Sequence, residues 1–203
     1  NILFIPYARP NGISHKAYTQ LVSDTFNKIN LSIVGIDNYD NPIENIDSCD
    51  GIFIGGGNSF LLLDKIQEYK LSEKITNKVN SGTPFLGTSA GSNICGITIG
   101  TTNDMPIIHP SSLNSLNLVP FNINPHYLDP IKGSSHMGES REVRIKEFHQ
   151  FNDQIVIGLR EGSYLEVNEN NIILSGPNTA RIFKKDHDPF EIEPKFNLNK
   201  LLN

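Results

Sequence analysis

Cysteine is scarce in this chain. Only Cys49 and Cys95 occur in 203 residues. Two thiols make neither a disulfide framework nor a zinc knuckle. They read as buried or half-buried thiols of a reducing cytosol. Positive charge is also in short supply: 17 Lys and Arg stand against 22 Asp and Glu, a formal net charge of −5. Broad contact with nucleic acid needs a basic face, so that class of partner is not expected. An anionic substrate would have to be held by a local arginine rather than by the field of the whole protein. No apolar run approaches the ~20 residues of a membrane span, so no membrane partner is expected either. The apolar run from Asn1 to Tyr7 lacks a basic leader and a small-residue cleavage site. It reads as a first strand of a cytoplasmic protein. The chain begins without methionine, so a few native residues are expected to precede it. There is no internal repeat and no dividing linker, and 203 residues suffice for one sizeable core. A single domain over 1–203 is the expectation, with a polar tail after about His187 that is expected to be poorly ordered.

What is present is an alternation of short apolar runs with helical stretches. Ile2 to Pro6, Leu31 to Ile36, Gly51 to Ile54 and Phe85-Leu86 read as strands. His15 to Ile29, with Ala17, Leu21, Val22, Phe26 and Ile29 near helical spacing, reads as a helix. A polar loop from Asn38 to Asn45, a short helix around Ile46, and helices over Ser59 to Tyr69 and Ser72 to Asn80 follow. This is the pattern of βαβ units and a parallel sheet, an α/β fold. Ligands of such sheets gather beyond the carboxyl ends of the strands. Gly100 to Tyr127 is expected to hold loops and short strands. Glu139 to Phe151 reads as a charged amphipathic helix with Val143, Ile145, Phe148 and Phe151 as apolar candidates. Gln154 to Leu159 reads as a strand. Ser163 to Val167 and Asn171 to Leu174 form a C-terminal β-hairpin with its tip at Asn168-Glu169-Asn170, and Ala180 to Lys184 is a last strand.

One stretch points to chemistry. Phe85-Leu86-Gly87-Thr88-Ser89-Ala90-Gly91 is an apolar run ending in Gly-x-Ser-x-Gly. That is the pattern of a nucleophile elbow, a sharp strand-to-helix turn that presents a serine Oγ. Cys95, six residues on, is expected on the helix that follows. A serine nucleophile needs a base and an orienting acid. Of six histidines (His15, His109, His126, His136, His149 and His187), His126 follows Pro125, which fixes the backbone before the imidazole. Asp104, Asp129 and Glu161 are the acid candidates. An oxyanion would be held by backbone N–H groups: Ala90, the residue after the serine, and Gly57 in the turn Gly55-Gly56-Gly57-Asn58. Both glycine turns end strands and should face one crevice. A phosphate cradle is the rival reading of the triple glycine. Position 60 is Phe60 where a third spaced glycine would stand, and no Walker lysine follows.

The segments Ile54 to Phe60, Gly87 to Asn93, Thr101 to Ile107, Leu118 to Tyr127, Gly138 to Glu142, Ile157 to Gly162 and Gly176 to Thr179 run in one order over nearly the whole chain. In them the chain resembles peptidase E, the α-aspartyl dipeptidase family of serine peptidases. The resemblance implies a flavodoxin-like α/β fold related to class I glutamine amidotransferases. It also implies hydrolysis of dipeptides that begin with aspartate, without a metal or other cofactor. By position, Ser89 is the nucleophile and His126 the base. Asp104 falls where the triad acid is usually assigned, and Glu161 matches a second carboxylate able to fill that role. Thr88 departs from a bulkier family residue and Arg160 from a proline.

On that reading Ser89 attacks the aspartyl carbonyl, His126 relays the proton, and an acyl-enzyme is hydrolysed. The substrate's side-chain carboxylate is assigned to Arg141, whose guanidinium suits bidentate binding. The free α-amine is assigned to Glu139 or Glu161. The alternatives are an esterase of α/β-hydrolase type, a hydrolase of polymeric aspartyl substrates such as cyanophycin, and a non-catalytic binding module.

Overall fold

In four strands near the N-terminus, alternate residues point to opposite faces of one sheet. The structure, a computed structural model, describes residues 1–38, 42–130, 138–169 and 171–202. Part of the polar loop expected over Asn38 to Asn45, His136, and Asn170 of the hairpin tip lie outside the described residues. The chain divides into two units, Asn1–Pro120 and Phe121–Asn203.

In the first unit, β1 (Ile2–Ile5), β2 (Ile33–Gly35), β3 (Gly51–Ile54) and β4 (Phe85–Gly87) form a parallel sheet in the order β2-β1-β3-β4. Ile2 pairs with Ile33 on one side and Gly51 on the other, and Ile54 pairs with Gly87. Leu3, Ile5, Ile52 and Ile54 enter a core shared with Ile46 of α2 (Pro42–Ser48), Leu62, Leu63 and Ile66 of α3 (Ser59–Glu68), and Ile75 of α4 (Ser72–Asn80). Phe4, Ile33 and Phe53 face the other way, onto Tyr18 and Val22 of α1 (His15–Phe26). Period-2 strands covered by helices on both faces are what a parallel sheet requires. Each fully buried Leu, Ile or Phe contributes about 1.5–3 kcal/mol. Strand order reverses between β1 and β3, which places the ligand-binding edge beyond their carboxyl ends.

Helix starts follow the local sequence. Ser14 Oγ accepts the Ala17 N–H (3.2 Å) at the start of α1, and Asn58 Oδ1 accepts the Leu61 N–H (3.0 Å) at the start of α3. The apolar stripe expected along α1 is shifted. Tyr18, Thr19 and Val22 are buried, whereas Leu21 and Ile29 are exposed. The helix gives way at Asn27 to a 3₁₀ turn, which carries Ile29 off the buried face. A second correction concerns the elbow's helix. α5 spans only Ala90–Asn93, so Cys95 lies beyond it. The residues after Asn93, Ile-Cys-Gly-Ile-Thr-Ile, combine a glycine with β-branched side chains and do not sustain a helix.

In the second unit, β5 (Asn122–Pro125) and β6 (Val156–Leu159) pair in parallel, and β9 (Ala180–Phe183) and β10 (Phe190–Ile192) extend that sheet in antiparallel fashion. β7 (Tyr164–Asn168) and β8 (Asn171–Ser175) form the expected hairpin. α6 covers Arg141–Phe148, shorter at both ends than the charge pattern implies. Ile145 is buried against Tyr127, Val156 and Phe183, while Val143 and Phe151 are exposed. The polar stretch after His187 contains β10 and a 3₁₀ turn over Leu198–Leu201. Ile192, Leu198 and Leu201 of that segment are buried, while Phe190 and Leu202 are exposed, and the three buried side chains give it an anchor its composition does not advertise. Among the described residues no helix is long and apolar enough to cross a membrane.

Candidate active site

β4 ends at Gly87, and two residues later the chain turns through Ser89 at φ 54°, ψ −112°. A non-glycine residue there stores strain of order 1–3 kcal/mol, and the surrounding bonds must hold it. They do. Thr88 N–H donates to Ile54 O (3.1 Å), Gly91 N–H to Thr88 O (2.9 Å), and Asn93 N–H to Ser89 O (2.9 Å). Ser92 Oγ donates to Gly87 O (2.9 Å). The turn is tight enough to demand glycine at its far end. A Cβ on Gly91 would stand 2.2 Å from Ile54 O.

β3 ends beside this turn and opens into Gly55-Gly56-Gly57. A Cβ on Gly56 would stand 2.9 Å from Ser89 Cβ and 3.4 Å from its Oγ. The two glycine turns therefore flank one serine, as their strand-end positions imply. Among the described residues, no protein acceptor takes the N–H of Gly57 or of Ala90. Asp104 lies on the same edge. Its Oδ2 accepts the Ser59 N–H at 2.7 Å, the first amide of α3, and Asn58 Nδ2 donates to Met105 O at 2.8 Å. The loop around Asp104 is thus latched to the turn that carries Gly57.

In the second unit, β5 and β6 end side by side, with Pro125 opposite Leu159. That register brings His126, one residue past β5, next to Glu161, two residues past β6. His126 Nδ1 and Glu161 Oε1 are in direct contact. A carboxylate on Nδ1 fixes the tautomer and makes Nε2 the basic nitrogen. The imidazole is aimed by a left-handed backbone, φ 56° at His126. Its backbone lies between the last residue of β5, Pro125, and Tyr127, whose N–H donates to Leu159 O (3.0 Å) and whose ring is buried. Asn178 Nδ2 donates to Glu161 O (2.7 Å) and steadies the acid's turn.

The other acid candidate in this unit has a different partner. Asp129 receives Arg160, with Nη2 2.9 Å from both carboxylate oxygens. Arg160 also reaches Glu191 Oε2 (2.7 Å) and Thr179 Oγ1 (2.8 Å). Burial raises the Glu191 carboxyl, but the bonds from Arg160, Thr179 and Arg181 outweigh it and leave the group at about 2. Arg141 starts α6, behind the Ser140 cap, and Nη1 donates to Pro125 O (3.2 Å), the carbonyl just before His126. Burial, then the neighbouring Arg144, lowers its guanidinium from the usual value. Glu139 is exposed and pairs at 3.9 Å with Arg144. The structure thus brings Ser89, Ala90 and the turn of Gly57 together in one unit. In the other it joins His126 to Glu161 and, through Pro125, to Arg141, while Glu139 pairs with Arg144. Among the described residues there is no group of three His, Cys, Asp or Glu able to hold a metal ion.

Residues 1–175 match the family model described as Peptidase family S51. A protein named "Peptidase E" from Streptomyces coelicolor is 42% identical over 202 residues, covering 100% of this chain and 82% of its own length. A Drosophila melanogaster protein named "Probable alpha-aspartyl dipeptidase" is 41% identical, covering 99% of this chain and 83% of its own. Among solved structures, a peptidase from an acI-B1 actinobacterium shares the fold at a TM-score of 0.73 and 19% identity, over 97% of this chain and 82% of its own. With the family model spanning most of its length and relatives above 40% identity along nearly all of it, the chain belongs to peptidase family S51.

Proposed function

We propose that the protein is a serine dipeptidase that hydrolyses dipeptides with an N-terminal aspartate through an acyl-enzyme. The observation that carries this reading is the strained Ser89 elbow pressed against the Gly55-Gly56-Gly57 turn. Ser89 Oγ attacks the aspartyl carbonyl carbon while His126 Nε2 takes its proton. The carbonyl oxygen becomes an oxyanion held by the N–H groups of Gly57 and Ala90. His126 returns the proton to the leaving amine, and water, activated by the same imidazole, releases aspartate from the ester. Glu161 orients the imidazole and stabilises its charged form; its contact with Nδ1 supports that role over Asp104. Asp104 is assigned to the glycine turn.

Arg141 receives the substrate's side-chain carboxylate, and Glu139 its α-amine. With Glu161 engaged on His126, Glu139 is the carboxylate of the original pair left for the amine. One methylene in an apolar pocket is worth only about 1–3 kcal/mol, so discrimination against glutamyl substrates falls to the fixed reach of Arg141. Residues 1–203 act as one peptidase domain, in the cytoplasm, without a cofactor; the two free thiols, Cys49 and Cys95, suit a reducing compartment.

A panel of Asp-X, Glu-X, β-aspartyl dipeptides, cyanophycin and a p-nitrophenyl ester tests the reading. Turnover confined to Asp-X supports it. Preference for the polymer or the ester, or no turnover at all, replaces it with the corresponding alternative.

A further inference from the structure

The glycine turn beside Ser89 is gripped by a side chain from far away in sequence. Tyr18, on α1, is buried, and its Oη accepts the Gly56 N–H at 3.1 Å. The same hydroxyl donates to Gly56 O at 3.4 Å. Gly55 leaves room for it: a Cβ there would stand 2.6 Å from Oη. The ring itself is fixed. Phe4 meets it edge-on at 5.0 Å, and the Arg9 guanidinium lies over its face at 4.9 Å.

The peptide joining Gly56 to Gly57 is planar and trans, so its C=O and N–H point in opposite directions. A hydroxyl that draws Gly56 O toward itself turns the Gly57 N–H away from α1. Glycine backbone has little intrinsic preference to hold that orientation unaided. We propose that Tyr18 is a positioning residue for the oxyanion hole, its hydroxyl setting the direction of the Gly57 N–H. Tyr18 does not touch the reacting atoms; it acts through the Gly56–Gly57 peptide. The inference rests on Ser89 as nucleophile and Gly57 as oxyanion donor.

The test is Tyr18→Phe, which keeps the ring between Phe4 and Arg9 and removes only the hydroxyl. Two inhibitors separate the possible roles. The α-aldehyde of aspartate adds Ser89 Oγ to its carbonyl carbon; the serine proton passes through His126, and the new tetrahedral oxygen occupies the oxyanion position. A reduced-amide Asp-X analogue, with CH₂ in place of the carbonyl, binds without an oxygen there. Outright loss of an oxyanion donor lowers kcat about 10²–10³-fold, so a misdirected one is expected to lower it about 10- to 100-fold. The same factor should appear in the aldehyde's affinity, with KM and the reduced-amide affinity within about twofold of wild type. Arg9→Ala, which uncovers the ring but keeps the hydroxyl, should retain the wild-type ratio of the two affinities.

Equal weakening of both inhibitors by Tyr18→Phe, unchanged kcat, or an equal effect of Arg9→Ala on the aldehyde would overturn the assignment. Failure of the underlying reading looks different. In that case the aldehyde would not inhibit the wild-type protein, or Ser89→Ala would still cleave Asp-X.

Discussion

The carboxylate of Glu161 rests on Nδ1 of His126, while that of Asp104 rests on the Ser59 amide at the start of α3. The two acids therefore have different physical tasks. An orienting carboxylate changed to its amide can leave the fold intact and still trap the imidazole in the wrong tautomer, at a cost of up to about 10⁴ in kcat. Glu161→Gln is expected to lower kcat for Asp-X by about 10²–10⁴-fold with little change in KM, read by steady-state kinetics. A near-wild-type rate would remove Glu161 from the triad.

Asp104 accepts the kind of helix-terminal N–H that a capping side chain satisfies. Its replacement by alanine should lower unfolding free energy by about 0.5–2 kcal/mol. Denaturant unfolding measures this. Asp104→Asn keeps an acceptor oxygen and should lose less of both stability and activity than Glu161→Gln loses of activity. The reverse order would return the orienting role to Asp104.

Arg141 is half-buried and already donates to Pro125 O. Its assigned ligand is the aspartyl side chain. A hydrogen bond to a charged group contributes about 1.5–3 kcal/mol, so Arg141→Ala should lower kcat/KM for Asp-X by about 10- to 150-fold. Parallel assays of Asp-X and Ala-X would show a loss confined to Asp-X. An equal loss on both would assign Arg141 to the His126 turn instead of to the substrate.

Stability in acid should report the Arg160 network. The folded Glu191 carboxyl is depressed from the ordinary 4.5 to about 2. A depressed folded value contributes stability that is fully present above the unfolded value and is lost as pH falls through the folded one. Tm should therefore drop between pH 4.5 and about 2. Glu191→Gln should flatten that part of the Tm–pH curve, and an unchanged slope would contradict the shift.

The sheet of the first unit was legible because its strands are short apolar runs, with β1 and β3 largely buried on both faces, and the elbow because its glycines are sterically required. Other features left no sequence signal. β5 is Asn-Ile-Asn-Pro, a poor strand by composition, yet Asn122 and Asn124 are wholly buried in it. Tyr18 sits at a helical spacing that reads as ordinary core, and only its distance from Gly56 shows what its hydroxyl does. Glu161 became distinguishable from Asp104 through the Pro125–Leu159 register, a pairing between residues 34 positions apart that no local pattern encodes.

The most direct test of the account is Asp-X hydrolysis by Ser89→Ala, with circular dichroism confirming the fold. Triad knockouts in serine peptidases lower kcat by up to about 10⁶-fold, so turnover should fall by several orders of magnitude while the spectrum is unchanged. Cleavage of Asp-X at a rate comparable to wild type would mean that Ser89 is not the nucleophile.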